Sequence, residues 1–279
     1  KWLIVKDNMF RSTGELSLSN KFEYVVGDGS ENNPYLIDSM NDFSYIFISS
    51  KEKRYFKLMS NIDASGFDIT YTYLEDDGEI NFELDGNNKI ISNFHFKDNG
   101  TNSNSVFDYN INNSLIKNVT FENVIIESDY PYVSNYYIFS NWKNTTLDNV
   151  TMNLKLPNDL SSRFELIIFG KTHNVTLKNS SISVEGTYMK SSVGFYIFDY
   201  TNKNTTITNN EFNVSYNSTS DYEESSQIEF GYSGDTFNVN GNVARVNSAH
   251  TTFKILNTFS KEQILLYHND VEYNWSVNE

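Results

Sequence analysis

The stretch SLIKNVTFENVIIES, residues 114–128, decides how this chain is read. Val119 and Phe121 follow Ile116 at nearly the two-residue period of a half-buried strand, but Asn118 intrudes, and Asn123 interrupts again before Val124 and Ile126. Asparagine is poor inside strands and good at bends, because its short side chain tolerates left-handed backbone and bonds neighbouring backbone groups. A strand with bends built into it makes little sense alone. Repeated down the chain, it becomes an architecture.

It is repeated. The template apolar-x-Asn-x-x-apolar fits Asn93, Asn118, Asn149, Asn179 and Asn209, and a degenerate copy sits at Asn240. The first step, from Asn93 to Asn118, is short, and every later one is close to the same length, the period of a solenoid repeat. A second column lies upstream at Phe82, Phe107, Phe139, Phe169, Phe198 and Phe230, each at a nearly constant distance before its asparagine. Each repeat reads as strand, turn, strand, asparagine bend, strand and a variable loop. One such unit has two unpaired edges and cannot stand alone, whereas stacked units pair each strand with its equivalents about 4.8 Å away. The expected fold is all-β: a right-handed, single-stranded parallel β-helix of about six to seven coils with short helical caps. Equivalent asparagines, each a donor and an acceptor, form a ladder along its axis.

Three segments follow. Residues 1–65 supply N-terminal strands and a capping helix, where Asp38 or Ser39 caps a turn bearing Met40, Phe43 and Phe47 on one face. Residues 66–250 are the coils. Residues 251–279 form a C-terminal cap, in which Ser260 and Gln263 read as a capping box ahead of Ile264 and Leu265.

Composition narrows the function. The 279 residues carry a formal net charge of −15, 21 basic against 36 acidic, so nucleic acid, anionic membranes and strongly acidic polysaccharides are repelled. A neutral glycan or a protein surface fits. There is no cysteine, hence no disulfide framework, thiol nucleophile or cysteine metal site. No apolar run is long enough for a membrane helix, and KWLIVKDNMF at the start lacks the pattern of a signal peptide.

The segments GDGSENNPYLI (27–37), YFKLMSNID (55–63) and FELDGNNKIISNFHF (82–96) resemble the opening of adhesin-like surface proteins of bacteria and archaea with a right-handed parallel β-helix, within the wider pectate-lyase-like fold. The motifs lie ahead of residue 100, and the coil pattern extends to about residue 248. The resemblance implies a secreted or surface-anchored protein, extracellular or at the cell surface, often part of a larger one.

Catalysis finds little support in the residues. Glycoside hydrolysis needs clustered carboxylates, and the acidic pairs Asp76–Asp77 and Glu223–Glu224 stand in loops without surrounding motifs. Lyase chemistry needs calcium-binding carboxylates and neighbouring cations, but the arginines, Arg11, Arg54, Arg163 and Arg245, are scattered. No metal site is expected. His95, His173, His250 and His268 lack ligand spacing, and LDGNN (84–88) and EDDGE (75–79) read more economically as turns than as calcium loops. No cofactor is expected. Asn-x-Ser/Thr sequons, among them Asn112, Asn144, Asn204 and Asn217, follow from the abundance of both residue types.

The variable segments, residues 128–135, 156–164, 185–194 and 216–227, fall along one edge of the stack and mix tyrosines with serines and acids. Tyr130, Tyr132, Tyr188 and Tyr222, with Trp142 in the turn after Phe139, are the candidate ligand-binding residues, since flat aromatic faces beside hydroxyls suit sugars or protein contacts. The function expected is a non-catalytic, adhesin-like β-helix module that binds a host or cell-surface glycan or protein through edge loops, or serves as a rigid stalk. The alternative is a viral tail-spike or secreted polysaccharide-cleaving enzyme on the same fold.

Overall fold

A computed structural model describes residues 25–47, 50, 52–70, 79–98, 105–108, 110–128, 135–156, 164–170, 172–189, 193–198, 204–218, 226–229, 237–247, 252–254 and 262–273. Those residues form an all-β, parallel β-solenoid with one short helix. The longer sheet stacks Tyr35–Ile37, Arg54–Leu58, Phe82–Ser92, Leu115–Ser128, Thr146–Lys155, Ser181–Met189, Glu211–Ser218, Asn242–Asn247 and Ile264–His268 in that order, each parallel to the next. The shorter sheet stacks Ser105–Asp108, Asn135–Ser140, Phe164–Gly170, Val193–Phe198, Ser226–Glu229 and Thr252–Lys254. The turns number about four, fewer than the six to seven expected.

Stacking turns sequence repeats into columns. Leu84, Ile116, Leu147, Leu177, Ile207 and Val239 are register partners down the longer sheet and are buried. So are Ile91, Phe121, Met152, Ile182, Phe212, Ala244 and Leu266. Burying apolar side chains on both neighbours at every rung is what makes a one-sided repeat unit stable.

The asparagines do make the bends. Asn118, Asn149, Asn179 and Asn209 stand at φ 55°, 57°, 53° and 56°, a left-handed conformation that asparagine tolerates better than most residues. The register amends the ladder at both ends. Asn93 is not the equivalent of Asn118: Ser92 pairs with Glu122, and the Asn123 side-chain amide bonds that of Asn93. Asn118 instead lies over the 85–89 bulge and donates to Asp85 Oδ1 at 3.3 Å. The short first step of the repeat, between Asn93 and Asn118, is the trace of this difference in the sequence. Asn240 pairs with Thr208, so the place above Asn209 belongs to Gly241, at φ 64°. Within the remaining column Asn149 donates to Asn118 Oδ1 at 2.9 Å, while Asn179 turns to Asp148 Oδ1 at 2.9 Å. Phe82 likewise stands opposite Ser114, and the phenylalanine column in register is Phe107, Phe139, Phe169 and Phe198; Phe230 lies outside the described residues.

Two further polar columns complete the corners. Asn112, Asn144 and Asn174 bond in series at 2.9 Å per step, with Glu79 accepting from Asn112 at 2.9 Å. Inside the other corner, the buried Asn210 accepts from the Ser180 backbone N–H at 2.9 Å, and Asn242 accepts from the Asn210 N–H at 3.0 Å. Their amides donate to the carbonyls of Leu177 and Ile207, so the bend leaves these backbone groups paired.

At the N-terminal end, Ser39, one of the two expected caps, caps the helix Met40–Ser44 and forms a capping box with Asp42. Met40 and Phe43 are buried, and the Phe43 ring meets Phe94 edge-on, 5.7 Å between centroids. The GDGSENNPYLI segment is a structural turn: Gly29 O accepts from the Tyr55 N–H at 2.9 Å, and a side chain at Gly27, φ 110°, would collide with the Pro34 carbonyl. The C-terminal capping box is not a helix start. Ile264–His268 is a strand, in parallel register with Asn242–Asn247, and its alternate residues Ile264 and Leu266 complete the interior columns.

Candidate functional site

In chain order, six strands of the longer sheet lead to six strands of the shorter one through connections that lie largely outside the described residues. They leave strands ending at Asp98, Ser128, Lys155, Met189, Ser218 and Asn247, and return to strands beginning at Ser105, Asn135, Phe164, Val193, Ser226 and Thr252. Several of their roots are aligned by register: Asp98 with Ser128 and Met189 with Ser218 on the outgoing side, Phe164 with Val193 and Val193 with Ser226 on the return. A parallel stack forces this, since each coil repeats the path of the one below.

Of the candidate binding residues, Tyr130, Tyr132 and Tyr222 lie outside the described residues. Tyr188 stands in the strand Ser181–Met189, next to an outgoing root; its side chain lies outside what is described. Trp142 is a correction. It is fully buried, its ring 4.6 Å from Phe139, so it has no face to offer a ligand. Left-handed Asn141, φ 61°, turns the chain at the corner, and the large apolar ring fills the interior between Phe139 and Leu147.

Several acids of the stack are engaged along the axis. Asp63 accepts from Asn93 at 2.9 Å and from Ser65, and these hydrogen bonds bring its pKa down to about 2. Burial pushes the Asp148 carboxyl up, but hydrogen bonds from Asn179 and Lys178 and the Lys178 charge outweigh it and hold the group below its ordinary value. A hydrogen bond to Glu83, 2.7 Å away, raises the Lys117 pKa. Register places Lys57, Asp85, Lys117, Asp148 and Lys178 in one column of alternating charge. Sequence reading missed this column because its members stand a whole coil apart in the chain. Asp85 also accepts from the Asn87 N–H at 2.9 Å, and LDGNN, expected as a turn, is a bulge within the strand Phe82–Ser92.

Among the described residues no group of His, Cys, Asp and Glu is arranged to hold a metal ion. His95, His173 and His268 fall on separate rungs, and His95 is a strand residue paired with Asp68 and Ile125. Arg54 ties the helix end down through the Tyr45 and Ile46 carbonyls, at 3.1 and 3.2 Å, while Arg245 bonds Glu211 at 3.3 Å. Asp76–Asp77, Glu223–Glu224, Arg11, Arg163 and His250 lie outside the described residues. No helix among the described residues is long and apolar enough to cross a membrane.

The return side of the edge leads onto the outer face of the shorter sheet. Tyr137, Ile167 and Tyr196 are register partners there. The Tyr137 ring lies against Gly170, where any Cβ would strike it. Ile167 is 5% exposed yet stands apart from the interior core, and the two tyrosines are half-buried.

No family model matches the sequence, and no curated protein matches it. Two solved structures show similarity in shape. One is a "putative immunoglobulin A1 protease" from Bacteroides ovatus, 16% identical, with a TM-score of 0.43 over 90% of this chain and 81% of that one. The other is the SRRP of L. reuteri 53608, 11% identical, with a TM-score of 0.27 over 84% of this chain and 99% of that one.

Proposed function

We propose that this chain is a non-catalytic β-helix module of the adhesin-like kind, extracellular or at the cell surface and part of a larger surface protein or assembly. It holds edge segments out to a neutral glycan or a protein surface. The observation that carries this reading is the register between roots of successive connections on a stack where several described acids and amides are spent on axial bonds. A rigid scaffold with variable segments in register is a presentation device, because loops fixed at both roots lose little further entropy on binding. The net charge of −15 favours partners that are not polyanions.

Glycan-array and cell-binding assays test it, with the wild type beside a Tyr130→Ala/Tyr132→Ala/Tyr188→Ala/Tyr222→Ala variant. The wild type is expected to bind and the variant to lose binding. Equal behaviour of the two removes the loop surface. Release of reducing ends or unsaturated sugars from a polysaccharide replaces the reading with the glycan-cleaving one.

A further inference from the structure

We infer that the outer face of the six-stranded sheet is a second contact surface, a short rail for one extended, neutral polysaccharide chain, built on Tyr137 and Tyr196 with the buried Ile167 between them in register. The inference rests on the glycan arm of the reading above and moves the contact from the loops to the sheet. Tyr137 and Tyr196 pair with Ile167 from either side, so they stand two rungs apart, about 9.6 Å along the axis. Equal ring faces of an extended, equatorially linked pyranose chain recur at every second sugar, and a two-rung spacing suits that repeat. Ile167 lies between the tyrosines in register, 5% exposed and apart from the interior core, and offers no open face of its own.

Gly170 is the second element of the surface. Its bare backbone lets the Tyr137 ring lie against the sheet, a position that any side chain there would deny. Half-burial fixes each tyrosine while leaving part of it to solvent, and a fixed aromatic ring stacks on the C–H face of a sugar at small entropic cost. Tyr137 and Tyr196 lie just beyond the return roots Asn135 and Val193. The rail is therefore continuous with the loop edge. The acidity of the chain selects a neutral polymer over a uronate.

Affinity electrophoresis of the full chain through gels holding mixed-linkage β-glucan, xylan, galactomannan or polygalacturonate tests the rail. At least one neutral polymer is expected to retard the wild type while polygalacturonate does not. Tyr137→Ala/Tyr196→Ala should weaken that retardation about tenfold or more, and Tyr137→Phe/Tyr196→Phe should retain it. The loop variant should still be retarded, which separates failure of the loops from failure of the rail. Absence of retardation by every neutral polymer, unchanged behaviour of the alanine pair, or retardation by polygalacturonate alone overturns the proposal. So does a wild-type dimer in sedimentation that the alanine pair abolishes, since the occupant would then be a second copy. Should the alanine pair not fold, nitration of the wild type decides: protection of Tyr137 and Tyr196 by the retarding polymer supports the rail, and equal nitration with and without it refutes it.

Discussion

The two sheets share an apolar interior, and the longer one adds polar columns that the shorter one lacks among the described residues. On the longer sheet, left-handed asparagines bend the chain, side-chain amides bond along the axis, and charges alternate from Lys57 to Lys178. On the shorter sheet the axial neighbours are apolar: Phe139 stacks on Phe169 at 5.3 Å, with Trp142 against Phe139. Aromatic burial is non-directional and large, whereas the amide and charge columns are directional, more exposed and individually small. The apolar columns of both sheets therefore supply the energy, and the amide and charge columns of the longer one fix where the chain turns and which rung meets which.

The largest expected effect comes from breaking the aromatic side. Phe169 is fully buried on the Phe139 ring, and Phe169→Ala should cost about 3 to 5 kcal/mol, read as a lower denaturant midpoint with the slope unchanged. A loss no larger than that of an outer asparagine substitution would break the division between the apolar interior and the polar columns.

A pair of substitutions then sharpens what the bend asparagines contribute. Asn149→Val removes the 2.9 Å bond to Asn118 and places a β-branched residue at φ 57°, so it should cost about 1 to 3 kcal/mol. Asn149→Gly keeps the left-handed backbone and removes only the bond, so it should cost about 1 kcal/mol or less. Thermal melts that place the two variants together would mean that the amide, not the backbone, is what asparagine provides there.

This division also explains what could be read in the sequence. Asn118, Asn149, Asn179 and Asn209 were legible because a left-handed bend demands one residue type at a fixed period, and no neighbour can supply it. The ends were less so. Gly241 satisfies the same backbone demand without a side chain, so Asn240, one position earlier, took its place in the reading. Asn93 matched the template on its own bend and was assigned to the wrong column. Ser260 and Gln263 look like a helix start, but the open edge of Asn242–Asn247 offers Ile264–His268 a complete parallel partner, and pairing overrides local propensity. Trp142 was misplaced because a turn position says where the backbone is, not which way its side chain points. The rail of Tyr137, Ile167 and Tyr196 has no periodic signature, since Tyr, Ile and Tyr share a column only after the register is known.

The smallest effect is expected from the charge column, and its pH dependence sets it apart from the aromatic side. Lys178 and Asp148 are 3.1 Å apart with side chains 40% and 31% exposed, so solvent screening limits the pair to at most about 1 kcal/mol. Asp63 and Asp148 have carboxyls held below their ordinary values. A depressed carboxylate stabilises the fold fully above the unfolded value near 3.9, and that contribution is lost as pH falls through the folded pKa. Lys117, raised by Glu83, behaves oppositely: its contribution is present below the ordinary lysine value and is lost as pH rises through the raised one. Both are intact at neutral pH. Melting curves from neutral pH down to about pH 2 should therefore converge for the wild type and Asp148→Asn as the carboxylate is protonated, while Phe169→Ala should stay below the wild type by a nearly constant interval. A constant interval for Asp148→Asn as well would show that Asp148 acts through its shape and hydrogen bonds, and that the alternating column specifies register without its charge.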